Sequence, residues 1–365
     1  MTIYDPTALR RELHEMPELA LHEKRTSAYV AEKLKALGIE THENVGGSTG
    51  VVGIIRGTEP GPVFMLRADM DALPFVIDGK PCCIHACGHD GHTAMLLAAA
   101  SRLKDKIKRG TLKLLFQPAE ETLQGAPVII KAGVIDDVDY ALGAHIRPIQ
   151  DVPAGMLCAA VRHTASTTLT IVIKGRGAHA SRPHLGINAI DAACALMNGI
   201  QAIWLDPKMS WSAKATQIHA DSGATNTVPD LARITYDCRA QTNELMDDLL
   251  AQIRRVAAGT AAAYGAEAEV ILRDQSPACL YDDDFVAEVA EAIKETAGPD
   301  KLAPDCGGGE DFHNYKLARP EIKAAYFGVG VGAAPGLHAP TMHFDDTLLP
   351  LGVAVFENVV LRHLG

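Results

Sequence analysis

Apolar residues recur every three to four positions along "TALRRELHEMPELALHEKRTSAYVAEKLKALG" (7–38), and this spacing predicts an amphipathic helix. The pattern then shortens. "VVGIIRG" and "PVFMLRAD" read as strands, "GHTAMLLAAASRLKDKIK" as a helix, and "GTLKLLFQ" and "DYALGAH" as further strands. Strands alternating with helices predict an α/β fold, with a central sheet flanked by helices. From about Thr164 the order changes. "STTLTIVIKG", helix "NAIDAACALMNGIQAIW", strands "KATQIHA" and "DLARITYDCRA", helix "NELMDDLLAQIRRVAAGTAAAYG" and strand "EAEVILRD" give β-α-β-β-α-β, the split ferredoxin-like order. After about Pro277 the helix "DDFVAEVAEAIKETAG" and the strand "AAYFGVGVG" resume the first style. A small α+β domain, 164–276, is therefore expected to be inserted into a larger one formed by 1–163 and 277–365.

Composition narrows the function. The 365 residues are 47% hydrophobic and 22% charged, an ordinary globular balance with enough length for two cores. Lys+Arg at 34 against Asp+Glu at 45 leaves −11, which argues against a partner held through its phosphate backbone. No nucleic-acid partner is expected. The start, "MTIYDPTALRRELHEMPEL", carries charges throughout, and the apolar run "AMLLAAA" is too short to span a bilayer, so a cytoplasmic protein without a membrane partner is expected. Eight cysteines at irregular spacing suit reduced thiols better than a disulfide framework.

One stretch stands apart from folding needs. "HACGHDGHT" (85–93) packs three histidines, a cysteine and an aspartate into nine positions, which could serve a thiol nucleophile with its base, a metal site or a crowded turn. Other polar clusters also follow strands: Asp69 and Asp71 in "RADMDALP", Glu120 and Glu121 in "FQPAEE", His145 in "GAHIRP", and His338 in "GLHAPTMHFDD". Such positions converge in an open α/β sheet, because ligands bind beyond the carboxyl ends of its strands. Thiolate, imidazole and carboxylate together are the ligand set of zinc and its neighbours. They outnumber the needs of one tetrahedral ion. A cysteine hydrolase built on Cys87 would leave Glu120, Glu121, His145 and His338 without a task.

In this order "RADMDALP", "HACGHDGH", "FQPAEE", "GAHASRPHLGINAI", "TNTVPD" and "GLHAPTMHFDD" resemble the metal-dependent amidohydrolases that include hippurate hydrolases, auxin-conjugate hydrolases and other N-acyl-amino-acid hydrolases, relatives of aminoacylase and glutamate carboxypeptidase. The resemblance covers nearly the whole chain. It implies a di-metal catalytic domain with an inserted lid and dimerisation domain, working as a homodimer on small N-acyl-amino acids. It implies two divalent ions per subunit, zinc or manganese, with cobalt or nickel as substitutes in vitro. The ligands it implies are Cys87, His89, Glu121, His145 and His338, with Cys87 as the bridge, and Glu120 becomes the general base. It also implies that His179 stabilises the oxyanion from the partner subunit and that Asn226 and Arg239 bind substrate. A metallo-dipeptidase or carboxypeptidase on the same scaffold is the alternative. Departures from the family pattern are Asp69 where the aminoacylase and carboxypeptidase relatives carry a histidine, a short "PFVIDGKPCCIHA" segment, and Arg147 where an apolar residue is commoner.

Overall fold

β3 (Glu59–Asp69), β6 (Arg109–Gln117) and β7 (Tyr140–Pro148) lie side by side in parallel at the middle of an eight-stranded sheet. This computed structural model describes residues 3–365. On one side β2 (Gly50–Arg56) pairs antiparallel with β6, and β1 (Glu40–Val45) pairs antiparallel with β2. On the other side Lys323–Ala333 runs parallel to β7, followed by the short strands Leu157–Cys158 and Leu302–Ala303. The sheet is thus mixed. Its central strands read as near-continuous apolar runs because both faces are covered. Alternate residues enter opposite cores: Leu66, Leu114 and Leu142 join one cluster, while Met65, Leu115 and Ala141 join the other.

α3 (His89–Leu103) is buried along almost its whole length, which explains a sequence apolar on every side. The C-terminal helix Leu349–Leu364 packs beside it, with Val353, Phe356 and Val360 in the same core. By length and composition alone the segment Asp346–Leu364 could cross a membrane. Its apolar residues are instead taken up by the core.

The first amphipathic stretch is two helices rather than one, α1 (Pro6–His14) and α2 (Lys24–Ala36). Pro17 has no N–H to continue the helix and disfavours helical geometry at Met16. The intervening chain makes tertiary contacts instead: Leu19 bridges Ala72, and the Ala72 N–H donates to Glu18 O at 2.8 Å. A second difference is a hairpin, β4 (Leu73–Ile77) and β5 (Lys80–Ile84), where the chain reads only as a loop. Asp78 and Gly79 at its tip have φ of 52° and 75°, the pair of positive values that a two-residue type I′ turn requires.

The chain divides into two compact units, one running through Arg162 and resuming at Leu280–Gly365, the other being His163–Cys279. The second unit is an antiparallel sheet in the spatial order Trp211–His219, Leu231–Ala240, Ala165–Lys174, Glu267–Ser276. Helices Ala189–Gln201 and Asn243–Tyr264 pack on it around Leu169, Ile171, Ile234 and Leu249.

Candidate metal centre

The carboxyl ends of β3, β6 and β7 bring the polar clusters together. Asp69 pairs in register with Gln117, three residues before Glu120, and Arg67 pairs with Gly143, two before His145. Cys87 and His89 arrive on the turn into α3. Gly88 between them has φ of 82°, and a Cβ there would fall 2.2 Å from Ile146 Cδ1. Thr93 Oγ1 ties that helix to the end of β3 by donating to Asp69 O at 2.7 Å. His338 is drawn in from beyond the strand Lys323–Ala333 by its own N–H, which donates to Ala86 O at 2.8 Å; its φ of 63° is a left-handed conformation for a residue with a Cβ.

The ligand atoms of Cys87, His89 and His145 lie within 4.8 Å of one another, and so do those of Cys87, Glu121 and His338. Cys87 belongs to both groups. Cys87 Sγ is 3.4 Å from His145 Nε2, His338 Nε2 is 3.5 Å from Glu121 Oε2, and His89 Nε2 is 3.7 Å from Glu121 Oε1. Two ligands on a tetrahedral zinc, each roughly 2.0–2.3 Å from it, stand about 3.4–3.7 Å apart, so the spacings suit shared cations.

Proton positions agree with that use. His145 Nδ1 meets Ile146 O, a pure acceptor, so Nδ1 carries the hydrogen and Nε2 turns a lone pair toward Cys87. His89 Nδ1 meets Asp71 Oδ1 at 3.1 Å, which likewise leaves Nε2 facing the cluster. His89 Nε2 and Glu121 Oε1 are both buried without a hydrogen-bond partner. Buried polar atoms without partners are costly, and cations held by the two groups would satisfy them.

Charge points the same way. Burial pushes the Cys87 thiol and the Glu120 carboxyl far up, the latter helped by Glu310 and Asp311. Burial alone would lower His89, but the Asp69 carboxylate and the hydrogen bond from Asp71 raise it well above the ordinary imidazole range. Burial also lifts Glu310, to about 8, despite Arg67. A pocket in which acids resist ionisation has too few positive charges, and bound divalent ions would favour the ionised acids.

Glu120 occupies the gap beside the two groups. Its Oε2 is 4.0 Å from His89 Nε2, and its Oε1 accepts the Asp311 N–H at 3.4 Å. The floor beneath is a polar network around the fully buried Arg67. That guanidinium donates to Asp69 at 2.5 Å, to Asp311 at 2.7 Å and to Gln117 at 2.8 Å, and lies 3.2 Å from Glu310. His92 has both nitrogens engaged, Nδ1 with Asp69 at 2.6 Å and Nε2 with the Ile146 N–H at 2.9 Å, so its nearness to His89 needs no ion. His343 is exposed and stands outside these groups.

His179, Asn226 and Arg239 lie in the second unit. His179 is exposed and pairs in register with Thr227, next to Asn226, whose carbonyl accepts the Ala180 N–H at 2.8 Å. The Ser181 N–H donates to His179 Nδ1 at 3.1 Å, so a neutral ring carries its hydrogen on Nε2. Arg239 is engaged by Asp237 through two bonds of 2.9 and 3.0 Å. Arg147, which stands where an apolar residue is commoner in the family pattern, is buried and bonds Asp151 at 2.5 Å. Sequence reasoning placed Asp71 among the strand-end clusters without a task of its own and passed over Arg67. The motif "RADMD" displays both, but only the fold shows Asp71 touching His89 and, through its other oxygen, the Glu121 N–H at 3.0 Å.

Residues 65–362 match the model of Peptidase family M20/M25/M40, and the chain belongs to that family. It is 35% identical over 368 residues to Thermostable carboxypeptidase 1 of Saccharolobus solfataricus, covering 94% of this chain and 91% of that protein. It is 33% identical over 371 residues to Hippurate hydrolase of Campylobacter jejuni, covering 98% and 96%. A crystal structure of a dinuclear metal binding peptidase of the M20 family from Bacillus subtilis superposes with a TM-score of 0.80 at 30% identity, covering 98% and 97%. The α/β fold with its mixed central sheet is the one these relatives share.

Proposed function

We propose that this chain is a metal-dependent amidohydrolase that cleaves the amide bond of N-acyl-amino acids, releasing a carboxylic acid and a free amino acid. The observation that carries it is Cys87 standing in two ligand groups at once, with Glu120 beside both. Cys87, His89 and His145 would hold one divalent ion, and Cys87, Glu121 and His338 the other; the thiolate favours zinc, and manganese is the second choice. Bound there, the pair would supply Lewis acidity that polarises the scissile carbonyl and acidifies a water.

The protein's own groups do the rest. Glu120 accepts the proton of the attacking water and returns it to the leaving amine. Asp71 keeps the His89 ring in its tautomer. His179, with its hydrogen on Nε2, donates to the oxyanion in the partner subunit's site. Asn226 binds substrate alongside it, and Arg239 must exchange Asp237 for the substrate carboxylate. Support for a homodimer is the outer strand Trp211–His219, whose residues from Lys214 onward are exposed along an unpaired edge. We place the enzyme in the cytoplasm, as its reduced thiols suggest.

A hippurate hydrolase and a carboxypeptidase cut the same kind of bond, the amide formed by an amino acid that keeps its carboxylate. What separates them is whether the acyl side is a simple acid or a peptide. Chelator-stripped protein, reloaded with zinc, manganese or cobalt, should regain hydrolysis of N-acetyl- and N-benzoyl-amino acids and act poorly on uncapped dipeptides. Full turnover without metal would overturn the metal mechanism, and a preference for uncapped peptides would favour the peptidase.

A further inference from the structure

Among the described residues no cation forms an ion pair with Glu23 to explain its burial. It precedes α2, is 0% exposed, and uses both carboxylate oxygens within the protein. Oε2 accepts the Thr49 hydroxyl, and Oε1 accepts the Ala119 N–H at 2.8 Å. Ala119 is the residue immediately before Glu120, and its φ is 56°, a left-handed conformation that a Cβ disfavours. The turn closes on Ala119, whose carbonyl accepts the Gln124 and Gly125 N–H groups at 3.2 and 3.1 Å. Two residues further on, the Glu121 N–H donates to Asp71 at 3.0 Å. Glu120 is therefore suspended between two main-chain amides, each held by a buried carboxylate.

We propose that Glu23 is a positioning residue for the reaction proposed above, on which this inference rests: it locks the Ala119 amide into the left-handed turn that aims Glu120 at substrate and Glu121 at metal. Glu23 lies outside the span that matches the family model and more than ninety residues from the turn it holds. The competing role is a plain staple, in which Glu23 only joins α2 to the start of β2 through Thr49.

Four variants separate the two: Glu23→Gln, Glu23→Ala, Thr49→Val, and Glu23→Ala combined with Ala119→Gly. Each is measured for kcat and KM on an N-acyl-amino acid at saturating manganese, for zinc affinity by chelator competition, and for thermal unfolding. Glu23→Gln keeps an acceptor for Ala119 and should stay within about threefold of wild-type kcat. Glu23→Ala should lose roughly 10–100-fold in kcat with little change in KM, and should weaken zinc about tenfold through Glu121. Thr49→Val should leave kcat intact. Ala119→Gly should recover part of the loss, since glycine enters the left-handed region freely. Wild-type kcat and zinc affinity in Glu23→Ala would overturn the proposal, as would an equal loss in Glu23→Gln or a loss in Thr49→Val matching that of Glu23→Ala. The zinc measurement needs no substrate. If the wild type ignores every N-acyl-amino acid yet Glu23→Ala still loosens zinc, the substrate reading fails and the positioning role stands. Should Glu23→Ala fail to fold, Glu23→Asp, which withdraws the carboxylate by one methylene, carries the same expectation.

Discussion

Glu120 and Glu121 are adjacent in the chain and both approach His89, but Glu120 also reaches the Asp311 N–H, while Glu121 faces His338. Their substitutions should differ accordingly. Glu120→Gln is expected to retain its metal and lose roughly 10²–10⁴-fold in turnover, whereas Glu121→Gln should lower metal occupancy, both read by metal analysis beside kcat. Exchanged phenotypes would reverse the two roles. A second expectation concerns protons. Without ions, the Cys87 thiol and the His89 ring both hold protons at neutral pH, since both are shifted upward. Zinc binding must expel them, so affinity rises with pH, and calorimetry in two buffers of different ionisation enthalpy should register proton release near pH 7. Binding with no proton release would contradict the assigned ligands.

The turn into α3 is where an element, rather than a side chain, sets the site. Gly88 joins Cys87 to His89 in a conformation that suits glycine, with Ile146 in the space a Cβ would need. Gly88→Ala should therefore destabilise the metal-free protein by about 1–3 kcal/mol in urea unfolding and weaken zinc as well, because the two ligands move apart. Unchanged stability and affinity would show that the turn is permissive. Elements also mark where the chain's pattern misleads. The periodicity of 7–38 is helical throughout, yet the contacts of Glu18 and Leu19 with Ala72 and the presence of Pro17 break it. The hairpin at Asp78–Gly79 carried a turn signal strong enough to be read, but two short strands with proline and cysteines do not alternate cleanly.

For the whole molecule, the sharpest expectation is complementation. If His179 serves the partner's site, mixing inactive His179→Ala and Glu120→Gln chains under conditions of subunit exchange should restore roughly a quarter of all sites, since half the dimers are mixed and each mixed dimer has one competent site. Tagged heterodimers that form without regaining activity would confine His179 to its own subunit or to no role. The second unit has its own core, formed around Leu169, Ile234 and Leu249, and its own sheet, while the metal groups lie in the first unit; His179→Ala is expected to keep its metal content, read by metal analysis.

Residue types and their periods were enough to read an α/β sheet and to expect Asp69, Asp71, Cys87, His89, Glu120, Glu121, His145 and His338 near one another, because strand ends in such a sheet converge whatever their separation along the chain; which of them hold metal was implied only by the family resemblance. They could not say which histidine nitrogen faces the cluster, that His92 spends both of its nitrogens on Asp69 and Ile146, or that Arg147 turns to Asp151. Nor could they find Glu23, which looks like an ordinary charge on a helical stretch. Those facts are decided by hydrogen bonds between residues distant in sequence. Period and composition record which side of an element is buried, whereas partners inside a buried polar network depend on angles and ångströms that exist only once the sheet, α2 and α3 have packed.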